Sequence, residues 1–191
     1  MTTAERRPGT PPEVGGVLFS EAAIRERVAE LGARIEADYR QREVVLVTVL
    51  RGGLFFLADL CRAIEGPVRL DFIAITAYQA ATHAGAVRIT KDLDEDIEGK
   101  HVLVVEDIID TGLTLNYLVG VLRARRPASL EIAVLLDRDQ RRIADLPIAY
   151  RGFHMPDTFV VGYGLDFNGR LRNLRYIGSL SAELMQRLGV A

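Results

Sequence analysis

The chain has 191 residues, of which 49% are hydrophobic, with a formal charge of -2 and one cysteine. That length suits one domain with a sizeable core. The near-balanced charge argues against nucleic acid as a partner, and Cys61 alone allows neither an internal disulfide nor a cysteine-based zinc site. Apolar runs such as VVLVTVL at 44–50 are too short to span a bilayer, and the start MTTAERRPGTPPEVGG lacks the apolar core of a secretory signal, so a cytoplasmic protein with no membrane partner is expected.

Residues 1–16, rich in Pro, Gly and charge, read as a flexible tail, and 17–191 as a single domain. From Ser20, a candidate N-cap, the segment SEAAIRERVAELGARIEADYR places Ile24, Val28, Leu31 and Ile35 on one helical stripe. EVVLVTVLRGG follows as a β-branched run of strand length ended by two glycines, and LFFLADLCRAI reads as a helix. VRLDFIAITAY and KHVLVVED are two further strands, TLNYLVGVLRARR a helix and SLEIAVLLD another strand. Apolar strands alternating with helices predict an α/β fold, a mostly parallel central sheet with helices on both faces.

Two stretches break this rhythm. YQAATHAGAV, residues 78–87, is small and polar between strand-like flanks, which suggests a mobile lid of about 76–90 inside an antiparallel excursion. The segment from about 150 to 180, rich in Gly, aromatics and short β runs, suggests a small hood subdomain over a sheet edge, contributed mainly by that segment and by the N-terminal part. GYGLDF within it lacks the third glycine and the following helix of a dinucleotide fingerprint. His83, His101 and His154 show no ligand-like spacing, and KDLDEDIEGK reads as a solvated charged loop.

The chemistry concentrates in VLVVEDIIDTGLTL, residues 102–115. In an open parallel sheet ligands bind beyond the carboxyl ends of the strands, and a turn entering a helix presents free amides to an anion. Amides from about Asp110 to Thr114, with the Thr111 and Thr114 hydroxyls, can cradle a phosphate. Glu106 and Asp107 can accept hydrogen bonds from a sugar diol, a magnesium ion can offset a polyphosphate's remaining charge, and Asp110 is free to take a proton. The alternative is that Glu106, Asp107 and Asp110 only cap a helix and solvate a loop.

This stretch resembles the phosphoribosyl pyrophosphate loop of the type I phosphoribosyltransferases, in the Glu-Asp form of the hypoxanthine-guanine members. The resemblance runs from about residue 17 to 180 and includes VLRGG at 49–53, LLDRDQRR at 135–142 and FVVGYGLDFNGRLRNLRYIG at 159–178. It implies the type I phosphoribosyltransferase fold and transfer of ribose 5-phosphate from phosphoribosyl pyrophosphate to N9 of a 6-oxopurine, hypoxanthine and guanine, with Mg2+ as cofactor. By the same resemblance Glu106 and Asp107 hold the ribose diol, Asp110 is the general acid or base, and Asp110, Thr111, Gly112, Leu113 and Thr114 hold the 5-phosphate. Arg51, Gly52 and Arg172 face pyrophosphate, Arg142 lies near the pyrophosphate or phosphate, and the Leu50-Arg51 peptide can be cis. Phe159 stacks on the purine, Val160 offers main-chain groups, Arg138 donates to the 6-oxygen, Asp166 lies close to the 2-amino position of guanine, and Glu106, Asp107 and Asp166 are the metal-binding carboxylates.

The chain departs from the family pattern at two places. Arg138 stands where the family commonly has Lys, and the lid opens with Ala77-Tyr78 in place of a Ser-Tyr pair. Family members are commonly homodimers or homotetramers. Two other readings are open: a phosphoribosyl pyrophosphate-sensing regulator, which should lack Asp110 or carry a basic face, and a transferase preferring xanthine.

Overall fold

The computed structural model describes residues 11–80 and 83–188. A strand, β1 (Val14–Phe19), precedes the first helix, α1 (Glu21–Tyr39). Ser20 caps α1, its Oγ accepting a hydrogen bond from the Ala23 amide at 3.2 Å, and Ile24, Val28, Leu31 and Ile35 form the buried stripe that their spacing predicts. Arg40, at φ 47°, ends the helix by returning its N–H to the Glu36 carbonyl.

After α1 come β2 (Val44–Leu50), α2 (Leu54–Arg62), the hairpin of β3 (Val68–Ala80) and β4 (His83–Lys91), β5 (His101–Ile109), α3 (Leu113–Arg123) and β6 (Ser129–Asp137). β7 (Tyr150–His154), β8 (Val160–Val161), β9 (Ile177–Leu180) and a short helix, α4 (Ala182–Leu188), complete the chain. Six strands form the main sheet in the order β4-β3-β2-β5-β6-β7, all parallel except β4, which pairs antiparallel with β3. Successive strand residues point to opposite faces, so the apolar runs divide into two cores. Leu46, Leu103, Val105 and Leu135 pack with α1 and α2, while Val45, Val47, Val104 and Val134 pack with α3. Each fully buried Leu or Val contributes about 1.5 to 3 kcal/mol, which is why these strands carry almost no polar residues.

A second sheet, in the order β1-β9-β8, brings the start of the chain against its last strand. The strands approach closely because Gly178 has no side chain: a Cβ there would sit 2.7 Å from the Gly16 carbonyl oxygen.

Three boundaries differ from expectation. Val14 lies inside the segment read as a tail, yet it is fully buried in β1, because its partner β9 is far away in sequence. β7, expected within the hood, is an edge strand of the main sheet; Gly152 lies so close to the Leu135 carbonyl that a Cβ would come within 2.3 Å of its oxygen. α4 follows SL at 179–180 with no expected counterpart. Among the described residues no helix is long and apolar enough to cross a membrane.

Candidate active site

The strand order reverses between β2 and β5, and the carboxyl ends of these two neighbours hold the acidic stretch and the glycine turn side by side. The Leu50-Arg51 peptide is cis. Gly52, next in the turn, is in contact with Asp107: a Cβ on Gly52 would lie 1.8 Å from Asp107 Oδ2. Gly164, at φ 97°, approaches from the hood, and a Cβ there would lie 2.2 Å from the Gly52 carbonyl oxygen. Glycine at both positions lets three segments meet.

Two recesses open at this edge. The larger, about 410 Å³, is lined by Gly52, Asp107, Ile108, Asp110, Arg138, Phe159, Val160, Leu165, Asp166 and Arg172. The smaller, about 200 Å³, lies over the α3 turn and includes Glu106, Asp110, Thr111, Gly112 and Thr114. Asp110 lines both. A larger groove of about 640 Å³ lies between α1, α2 and residues 173–175, behind the Gly52 turn, and holds none of the acidic cluster.

α3 begins at Gly112, whose φ of 77° sets the turn and which offers no side-chain cap. Its first-turn amides have only the Thr111 hydroxyl nearby, with Oγ1 3.5 Å from the Leu113 amide. Leu113 itself is 54% exposed, so its share in the site is main chain. The turn is braced from behind by Ile143 and Ala144, whose amides donate to the Thr111 carbonyl.

The carboxylates are poorly neutralised. Burial, followed by the charge of Asp107, holds the Glu106 carboxyl well above its usual range, and its Oε1 is buried with no hydrogen-bond partner. Burial likewise raises Asp107 to about 6, opposed by the Ile108 amide, which donates to its Oδ1 at 2.8 Å, and by the charge of Arg172. Asp110 Oδ2 lies 3.6 Å from Arg138 Nη1, while its Oδ1 is buried and unpartnered. In the larger recess Arg172 holds Asp166 at 2.6 Å and donates to the Gly164 carbonyl at 2.6 Å. Phe159, 37% exposed, meets Phe167 edge to face with centroids 6.2 Å apart, and Val160 is buried beside it.

Most of the expected site residues are therefore gathered at one edge, with exceptions. Arg142 lines neither recess. It is paired with the fully buried Asp137, which Arg151 of β7 also contacts, so its expected place beside pyrophosphate is not found. A buried carboxylate at the end of β6 needs both cations, and Arg142 is the nearer in sequence. The Arg51 side chain is exposed and lines neither recess, leaving its main chain as the part that belongs to the turn. Glu106 opens into the smaller recess whereas Asp107 and Asp166 share the larger. The side chains of Ala77 and Tyr78, and residues 81–82 of the expected lid, lie outside the described residues; the main chain at 77 and 78 is in β3, opposite Val87 and Ala86 of β4.

Sequence reasoning missed Thr48, which is fully buried under Gly53 with its hydroxyl unpartnered, and the Thr158 carbonyl, which accepts from Arg138 Nη2 at 2.5 Å. Thr48 is hidden inside an apolar strand run. A main-chain acceptor leaves no mark in sequence.

Comparison with known proteins gives the family. Residues 16–168 match the phosphoribosyl transferase domain model, and the chain belongs to that family. Its relatives include the hypoxanthine-guanine phosphoribosyltransferase of Mycobacterium tuberculosis, 44% identical over 191 residues (96% of this chain, 93% of the relative), and the hypoxanthine phosphoribosyltransferase of Haemophilus influenzae, 49% identical over 171 residues (87% and 96%). The solved structure of Trypanosoma cruzi hypoxanthine phosphoribosyl transferase superposes with a TM-score of 0.88 at 41% identity, covering 96% of this chain and 100% of that one. Within the family, the chain belongs with the hypoxanthine and hypoxanthine-guanine phosphoribosyltransferases of purine salvage.

Proposed function

We propose that the two recesses divide the substrates between them, the larger taking a 6-oxopurine and the smaller the ribose 5-phosphate end of phosphoribosyl pyrophosphate. The observation that carries this reading is that Asp110 lines both. A group at that junction is within reach of the base as the N9 bond to the sugar forms and the bond to pyrophosphate breaks. The base loses one proton in the exchange, and the unpartnered Asp110 Oδ1 is the acceptor. Phe159 stacks on the ring, Val160 supplies main-chain groups, and Arg138 donates to the 6-oxygen. Residues 111–114 hold the 5-phosphate through amides and hydroxyls, and Glu106 and Asp107 accept from the ribose diol. Arg172 and the Arg51-Gly52 turn face the pyrophosphate.

Magnesium is part of the same proposal. A magnesium ion is held by one or two carboxylates and completed by substrate oxygens and water. Asp107 and Asp166, both in the larger recess, would hold it, with Glu106 opening into the neighbouring recess. Bound there, the ion supplies charge stabilisation to departing pyrophosphate. A cytoplasmic homodimer or homotetramer, the common state in this family, completes the reading.

The test is incubation with phosphoribosyl pyrophosphate, magnesium and, in turn, hypoxanthine, guanine, xanthine and adenine. IMP and GMP should form, with adenine excluded because an amino group leaves the Arg138 donor unpaired. Asp110→Asn should lower kcat by about a hundredfold or more while phosphoribosyl pyrophosphate still binds. No nucleotide from any purine, or equal turnover in the variant, contradicts the proposal.

A further inference from the structure

The base recess lies between two segments, the loop after β6 (residues 138–142) and the approach to β8 (residues 155–159), and a row of contacts fastens one to the other. At its inner end the Met155 amide donates to the Asp137 carbonyl at 3.0 Å, and Arg138 Nη2 donates to the Thr158 carbonyl. At its outer end His154 Nδ1 lies 3.3 Å from Asp139 Oδ2, and Arg141 Nε lies 2.7 Å from Asp157 Oδ1. The same Asp157 oxygen is 4.0 Å from Arg138 Nη1, and that nitrogen is also 3.6 Å from Asp110 Oδ2. The Arg138 guanidinium thus stands between two carboxylates, one inside the recess and one at its rim. Neither Arg141 nor Asp157 lines the recess.

We propose that Arg141 clamps Asp157 and, by neutralising it, leaves Arg138 directed toward Asp110 and the base, and so sets purine affinity without touching the purine. This rests on the larger recess being the base site.

Two anions compete for Arg138. Arg138 is almost entirely covered and its side chain is long, so its direction is decided by whichever anion attracts it more strongly. Arg141, bound closely to Asp157, neutralises the rim carboxylate and leaves Asp110 and the Thr158 carbonyl as the stronger attractors. Without Arg141, the bare Asp157 would draw Arg138 outward. Without Asp157, the two walls lose their outer fastening, but no anion remains at the rim to capture Arg138. The pair is half-exposed on both sides, at 49% and 43%, and an exposed ion pair adds little to stability, so a purely structural role would leave almost no trace.

The test is a double-mutant cycle read in steady-state kinetics, with Arg141→Gln, Asp157→Asn and both together. Arg141→Gln should raise the KM for hypoxanthine about tenfold at saturating phosphoribosyl pyrophosphate, with the KM for phosphoribosyl pyrophosphate and the melting temperature nearly unchanged. In the Asp157→Asn background the same change should add less than about twofold, because the competing anion is gone. Arg141→Lys, which keeps the charge, should restore most of the affinity. Additive effects in the cycle, an unchanged KM for hypoxanthine in Arg141→Gln, or equal rises for both substrates would overturn the clamp. If the parent protein makes no nucleotide at all, it is the assignment of the recess that fails.

Discussion

The two ends of the main sheet treat buried polar groups in opposite ways. At the amino end they are mostly paired: Tyr150 donates to Asp38 at 2.9 Å, His101 Nδ1 lies 2.8 Å from the Ser129 hydroxyl, and the buried Asp71 accepts from the amides of Phe72, Asp94 and Glu95. Tyr39 is the exception there, its hydroxyl buried without a hydrogen-bond partner. At the carboxyl end Glu106 Oε1, Asp110 Oδ1, Thr48 Oγ1 and Arg138 Nε are all buried and unpartnered, and two carboxyls are pushed upward by burial. Unmet polar groups cost free energy, so their concentration at one end marks where stability has been given up for binding.

Substitutions at the two ends should therefore move stability in opposite directions. The larger effect is expected at Asp107. Its carboxyl, raised from 3.8 to about 6 in the fold, binds its proton more tightly folded than unfolded. That contribution to stability is fully present below about pH 4 and is lost as pH rises through about 6. Asp107→Asn removes the penalty at pH 7.5 and should stabilise the free protein by roughly 2 kcal/mol while weakening phosphoribosyl pyrophosphate binding. Thermal melts of parent and variant from pH 4.5 to 8 measure it: the difference should grow with pH, and a constant or shrinking difference contradicts the assignment. The smaller effect is at the amino end, where Tyr150→Phe removes one satisfied hydrogen bond to an exposed Asp38 and should cost about 1 kcal/mol in urea unfolding. Its kcat and both KM values should stay at parent levels, and a loss of activity would break the contrast between the two ends.

How much of this was legible in the sequence depends on whether partners were local. α1 was readable because its cap, Ser20, and its stripe from Ile24 to Ile35 lie within one helix. The apolar runs of β2, β5 and β6 likewise declared themselves, as did the antiparallel excursion that became β3 and β4. β1 was not read as a strand, since Val14 is ordered by β9, and β7 was hidden because its place beside β6 depends on Gly152 passing close to Leu135. In the site, residues 106–114 and 159–166 were legible as compact motifs. Arg142 was misplaced because its partner Asp137 carries no sequence signal of being fully buried, and a second cation, Arg151, completes that cluster from another strand. The approach of Gly164 to Gly52, which seats the hood against the turn, joins positions whose closeness only the fold reveals.

The central claim is that Asp110 stands between a base and a sugar phosphate held in adjoining recesses. A crystal structure with phosphoribosyl pyrophosphate, magnesium and an unreactive 6-oxopurine analogue tests it most directly. The 5-phosphate is expected on the amides of residues 111–114, the purine against Phe159, and Asp110 within hydrogen-bond reach of the ring. A phosphate seated elsewhere, or Asp110 turned away from the base, would contradict it.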